Sequence, residues 1–231
     1  PLFTVAATIG ALRAASRFAH DMGALDRAAA FGEGAEHMRT AMIRHMWDGS
    51  RGRFARTAMP TDDGGYHLDF PLDSSAVALF LFGALPPDDP RVESHMRQLR
   101  DRLWVRTEIG GIARYEADPY HRVEHHNTEE VPGNPWIVCT LWYALWLIQK
   151  ARSLDELREA LPYLEWTNDR ATAGGILPEQ NHPYHGTPIS VSPLTWSHAT
   201  YMTTVMKYLE KHRRLSVAQG GSVEIELEHE A

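Results

Sequence analysis

Apolar residues recur every three to four positions through much of this chain. Val5, Ile9, Leu12, Ala15 and Ala19 mark one face of a first helix over 2–22, and a second helix is predicted over 32–47. Residues 72–82 are apolar on nearly every side and stop at Gly83, a residue suited to the position after a helix end, with Asp73 or Asp69 placed to cap the start. A helix over 90–104 opens on Pro90 and gathers Val92, Met96, Leu99 and Leu103 on one face. Asn134-Pro135 signals the start of an apolar helix over 135–151. Residues 153–166 form an amphipathic pattern, with Ser153 as cap and Asp155 and Glu156 in the first turn. Ser192-Pro193 opens a last helix over 193–213, and it ends in Lys211 to Arg214, where positive charge suits the helix dipole. The organisation predicted is one helical domain over 1–214 and a tail over 215–231, an edge strand or a disordered end.

The order of these seven helices carries a second message. Apolar helices (72–82, 135–151) alternate with amphipathic ones (90–104, 153–166). A helix apolar all round is enclosed by others, whereas an amphipathic one faces water on one side, so the alternation predicts an inner and an outer layer. A weak repeat agrees: R-G-R-F at 51–54, G-G-I-A at 110–113 and G-G-I-L at 174–177 recur at intervals of about 60 residues, each between an outer-type and an inner-type helix. If the inner helices run parallel, every long loop that enters one lies on the same face. Long loops in a compact domain are usually functional, so these are expected to converge on a shared cavity.

Composition narrows the chemistry. The formal net charge of −7 argues against a nucleic-acid surface. The longest apolar run, Trp136 to Ile148, is too short to span a bilayer. The single cysteine, Cys139, sits inside that run and reads as a buried small hydrophobe. The thirteen histidines include His125-His126 and the pair His182 and His185, but no metal-binding motif spaces them, and no cofactor is expected.

The loops hold the candidate site. Residues 110–134 bring Arg114, Tyr115, Glu116, Asp118, Tyr120, Glu124, Glu129 and Glu130, and Trp136 follows. Residues 174–192 bring Glu179 and Gln180, then His182, Tyr184 and His185. Arginine and carboxylates suit sugar hydroxyls, aromatic faces suit sugar rings, and a carboxylate beside an amide suits activation of a water. A solvated acidic loop explains the same composition.

Four segments together resemble the catalytic domain of glucoamylase-type enzymes, the family 15 glycoside hydrolases, in their bacterial and archaeal branch. They are P-L-D-S-S-A-V-A-L-F-L-F-G (71–83), G-G-I-A-R-Y-E-A-D-P-Y (110–120), P-G-N-P-W-I-V-C-T-L-W (132–142) and G-I-L-P-E-Q-N-H-P-Y-H-G-T-P-I-S-V-S-P-L-T-W-S-H-A (175–199). The resemblance implies an all-α fold, the second half of an (α/α)6 toroid of six helical hairpins. It implies that Glu179 is the general base, that Gln180 is the amide beside it, and that Arg114 binds substrate hydroxyls with Tyr115 and Glu116 following in the same loop. Trp136 is the matching tryptophan of the substrate pocket, while Trp196 of L-T-W-S-H is read as structural.

The resemblance also implies an acid partner. In the family it precedes the helix that the opening P-L-F-T-V-A-A-T-I-G-A-L resembles, so the acid is expected upstream of Pro1, in a missing N-terminal half of the domain. Glu129 and Glu130 are the internal alternatives. The expected activity is inverting exo-hydrolysis of α-glucosidic bonds, with an α-glucan or gluco-oligosaccharide as substrate. Trehalase or glucodextranase activity, a non-catalytic carbohydrate-binding or regulatory domain, and a helical scaffold for protein partners are the competing readings.

Overall fold

The computed structural model describes residues 1–218. Helix α1 (Leu2–Asp21) and helix α2 (Leu25–Met46) pack along each other through a three-residue turn. Helix α2 begins well before residue 32, where the sequence places it. Glycines at 32 and 34 lie inside it and both face α1: a Cβ on Gly32 would meet Ser16 Oγ at 3.4 Å, and one on Gly34 would meet Leu12 Cδ1 at 3.7 Å.

The apolar segment 72–82 divides into a 3-10 turn (Ser74–Val77) and α3 (Ala78–Leu81). Asp73 caps it, its Oδ1 accepting the Ser75 N–H at 2.8 Å. Helix α4 (Pro90–Leu103) starts on an Asp89 cap and buries Val92, Met96, Leu99 and Leu103, as the spacing predicts. In helix α5 (Ile137–Lys150) every residue except Trp142, Gln149 and Lys150 is buried, which makes it the enclosed helix of the domain. The amphipathic segment after it divides into α6 (Leu154–Arg158) and α7 (Leu161–Asp169), with Pro162 in the first turn of α7 where its missing N–H does no harm. Helix α8 (Thr195–Ala218) packs on α5 and runs past the expected end at 213. The remainder of the predicted tail lies outside the described residues.

Inner and outer helices therefore alternate as expected of part of an (α/α)6 toroid. The two ends of the series differ from α5: Phe18 (69% exposed) and Met22 (70%) on or beside α1, and Met202 (63%) and Met206 (66%) on α8, face solvent.

Short strands organise the loops. Strand β1 (Trp47–Asp48) pairs with β2 (Arg53–Phe54), and β3 (Thr57–Pro60) forms a hairpin with β4 (Tyr66–Asp69). Four two-residue strands, β5 (Ile112–Ala113), β6 (Pro135–Trp136), β7 (Gln180–Asn181) and β8 (Pro188–Ile189), make one antiparallel sheet in chain order. Residues 135–136, expected as the first turn of a helix, belong to this sheet. Asn134 is correspondingly not a helix cap. The three repeat glycines share one geometry, with φ of +63° at Gly52, +92° at Gly111 and +74° at Gly175. At Gly111 the requirement is also steric, because an added Cβ would lie 2.4 Å from Trp166 Cζ2 and 2.7 Å from Pro135 Cβ.

Candidate active site

The four-stranded sheet ties the two long loops together. Ile112 pairs with Trp136, and Trp136 pairs with Gln180. Arg114, one residue past β5, Trp136 in β6 and Glu179, one residue before β7, are thereby set side by side. Thr140 locks the sheet to α5: its Oγ1 accepts the Ile112 N–H at 2.9 Å and donates to the Trp136 carbonyl at 2.8 Å.

Glu179 is fixed from both sides along the backbone. Its N–H donates to the Val191 carbonyl at 2.9 Å, and its carbonyl accepts the N–H of Ile137, the first residue of α5, at 3.2 Å. The preceding residues are held by the start of α8. Ser197 Oγ donates to the Pro178 carbonyl at 2.8 Å, and the Leu177 N–H donates to His198 Nε2 at 3.1 Å. The T-W-S-H stretch is thus a clamp on the segment that carries Glu179.

The carboxylate is positioned by a buried amide chain. Gln180 Nε2 donates to Glu179 Oε2 at 3.2 Å, and Gln180 Oε1 accepts from Asn134 Nδ2 at 2.9 Å. Asn134 Nδ2 also donates to the His121 carbonyl at 2.7 Å, and its Oδ1 accepts the Val123 N–H at 3.2 Å. Gln180 is completely buried, so it acts on Glu179 and does not itself face the cavity. Among the described residues Glu179 Oε1 accepts no hydrogen bond, which leaves one oxygen free to take a proton.

Arg114 is anchored from behind. Its Nε and Nη2 donate to the two oxygens of Asp118 at 2.7 and 2.6 Å, and Asp118 is buried at 4% exposure. Burial pulls the Arg114 pKa down, but the hydrogen bonds and charge of Asp118 outweigh it and the net shift is upward. The guanidinium carbon lies 4.6 Å from the Trp136 ring centre, 4.9 Å from Tyr115 and 5.2 Å from Tyr120. Asp73 bridges to Tyr115, and the Ser74 N–H donates to the Arg114 carbonyl at 2.8 Å, so the third loop enters the site through the start of the segment leading to α3.

These residues surround a cavity of about 330 Å³. Arg114, Tyr115, Trp136 and Glu179 line it together, as the sequence reading expected of a shared pocket. Glu116 stands elsewhere. Its Oε2 accepts the Leu72 N–H at 2.9 Å and its Oε1 accepts from Arg102 at 3.2 Å, a backbone latch outside the cavity. Glu129 lines a different cavity, and Glu130 accepts from Asn127. The structure adds residues to the wall that the sequence reading did not place there: Asp73, Ser75, Cys139, Trp142, Phe3 and Trp196. Trp142 and Trp196 meet edge to face at 5.5 Å, and Trp196 is 53% exposed, so its ring is a surface of the cavity as well as a neighbour of the clamp. Burial pushes the Cys139 thiol pKa up, which keeps it an inert part of the wall.

Tyr184 Oη donates to Glu124 Oε2 at 2.8 Å and joins the two loops. His182 and His185 stack with ring centres 4.5 Å apart, and His182 Nδ1 accepts the backbone N–H of Tyr184 at 3.2 Å. Among the described residues no group of three or more histidine, cysteine or acidic side chains is gathered to hold a metal ion, and no helix is long and apolar enough to cross a membrane.

A carboxylate with one free oxygen, a fixed guanidinium and aromatic walls form a site suited to a polyhydroxylated ring. Comparison with known proteins bears on which one. The family described as "Glycosyl hydrolases family 15" matches residues 1–206. An uncharacterized glycosyl hydrolase of Methanocaldococcus jannaschii is 26% identical over 213 residues, covering 88% of this chain and 31% of that protein. A glucoamylase of a Clostridium species is 32% identical over 144 residues, covering 60% of this chain and 20% of that protein. A bacterial glucoamylase solved in complex with acarbose superposes with a TM-score of 0.74 at 23% identity, over 91% of this chain and 34% of that one. The chain therefore spans about a third or less of the length of these relatives.

Proposed function

Since the chain belongs to glycosyl hydrolase family 15, we propose that it supplies the general base and part of the sugar pocket of an enzyme that removes glucose from the ends of α-glucosidic chains with inversion. The observation that carries this reading is the meeting of Glu179, Arg114, Tyr115 and Trp136 on one cavity of about 330 Å³. That volume is at the lower end of the range for small-molecule pockets, roughly 300–1,000 Å³.

The chemistry follows from the groups present. Glu179, held by Gln180 through one oxygen, takes a proton from water with the other as that water attacks the anomeric carbon. Arg114 has its Nε and one Nη committed to Asp118, which fixes the plane of the guanidinium and leaves its Nη1 to donate to sugar hydroxyls. The aromatic walls take the apolar faces of the ring. Inversion requires a second, protonated carboxyl group roughly 6.5–9.5 Å from the base, on the leaving-group side. We assign it to a segment of the whole protein outside residues 1–231. The exposed apolar residues of α1 and α8 are then the seams against which the other half of the helical ring packs.

The test is the anomer formed first. Proton NMR of the full-length protein with maltose or maltotetraose should show β-glucose before mutarotation. Release of α-glucose first would overturn inversion. Oligosaccharide binding without any turnover would favour a carbohydrate-binding domain on the same fold.

A further inference from the structure

A second cavity, of about 570 Å³, lies between the C-terminal end of α4 and the loop 114–132, and shares no lining residue with the first. Three guanidinium groups, those of Arg102, Arg106 and Arg122, line it, with Glu116, Glu129 and Thr128. In a chain of net charge −7, three cations collected on one polar cavity need an explanation.

Internal pairing does not supply one. Arg102 is matched, its Nη2 lying 3.2 Å from Glu116 Oε1. Among the described residues the Arg106 side chain donates only to the Asp101 carbonyl, at 3.1 Å, and that of Arg122 only to the carbonyls of Glu124 and Asp118. Among the described residues neither meets a carboxylate at ion-pair distance. Among the described residues Arg122 Nη2 is moreover buried with no hydrogen-bond partner. A buried N–H without a partner is costly, and a guanidinium offers five donors in a planar fork that fits two oxygens of one oxyanion. Thr128 lies on the same wall.

We propose that this cavity is a binding site for an oxyanion, the phosphate or carboxylate group of a small molecule, held by Arg106 and Arg122 and separate from the sugar pocket. The site lies on the far side of the same loop. Arg114 and Tyr115 face one cavity, Glu116 and Ala117 the other.

Isothermal titration of this chain at low salt, with its fold checked by circular dichroism, tests the proposal using inorganic phosphate, glucuronate and glucose as probes. Phosphate or glucuronate should bind at one site with a dissociation constant below 1 mM, an order-of-magnitude expectation for charge-assisted hydrogen bonds from two guanidinium groups (about 4 kcal/mol or more). Glucose should give no heat that Arg106→Gln alters. Tight phosphate with weak glucuronate identifies a phosphorylated ligand, the reverse identifies a carboxylate, and equal binding identifies the oxyanion alone as what is recognised. Arg106→Gln, a change at the exposed edge of the cavity, and Arg122→Gln should each weaken binding at least tenfold, while Glu179→Gln leaves it unchanged. Binding of both anions weaker than 10 mM, or binding that survives Arg106→Gln in a folded protein, overturns the site.

Discussion

Acid should weaken this domain through one buried imidazole. His95 lies on the buried face of α4 at 2% exposure, and its Nδ1 accepts the N–H of Phe54 at 3.2 Å. A proton on Nδ1 would collide with that donor and put a charge in the core. Burial, with a smaller contribution from the Arg53 charge, pushes the pKa from 6.5 down to about 4. The folded chain therefore binds this proton less readily than the unfolded chain. Its contribution is intact above pH 6.5, is lost as pH falls from 6.5 towards 4, and changes no further below that. At about 1.4 kcal/mol for each pH unit across that window, the loss reaches about 3 kcal/mol. A typical domain has only about 5–15 kcal/mol of stability in all, so the effect should be plain.

The assay is urea unfolding followed by circular dichroism between pH 4 and pH 8, on this chain and on His95→Asn, whose Oδ1 replaces Nδ1 as acceptor for Phe54. The parent should lose stability with a slope approaching one proton across the window, and the variant should be flatter by that amount. Burial and the neighbouring His185 also lower the pKa of His182, but that contribution is common to both proteins and cancels in their difference. Parallel pH profiles for parent and variant would refute the reasoning.

Three further substitutions probe the site's framework. Asp118→Ala leaves Arg114 without its anchor and should destabilise the chain by about 2–3 kcal/mol in denaturant unfolding, less than the roughly 3–5 kcal/mol of a fully buried pair because Arg114 keeps about a third of its surface exposed. In the full-length protein the same change should weaken binding of gluco-oligosaccharides. Gly175→Ala has open space around the added methyl group and should cost only the left-handed backbone term, about 1–2 kcal/mol. Gly111→Ala meets Trp166 and Pro135 as well, so it should lower the melting temperature clearly more; equal losses at the two positions would contradict the packing at Gly111.

The helical framework was legible because its signals are local. Pro90 opens α4 and Ser153 caps α6 where expected, and the apolar faces of α4 and α5 are the buried ones. The errors have physical causes. Pro162 divides a helix that periodicity alone runs together. Two-residue strands leave no periodic trace, so the sheet that sets Arg114, Trp136 and Glu179 side by side was not foreseen, nor was Asn134 as a tie between loops. The G-G-I and P-E-Q motifs lie next to Arg114 and at Glu179, residues that line one cavity. Glu116 shows the limit of that inference: two residues beyond Arg114 the chain has already turned to a different cavity. Trp196 shows the converse, since a residue of the clamp at the start of α8 also presents its ring to the pocket.

The central claim is that Glu179 is the proton acceptor in hydrolysis. Its most direct test is the rate of glucose release from maltotetraose by the full-length protein and by its Glu179→Gln variant, with substrate affinity measured alongside. The variant keeps the size and hydrogen bonding of the side chain but not its basicity. The rate should fall by about 10²–10⁴ with little change in affinity. A variant that retains most of the parent rate would show that another group takes the proton.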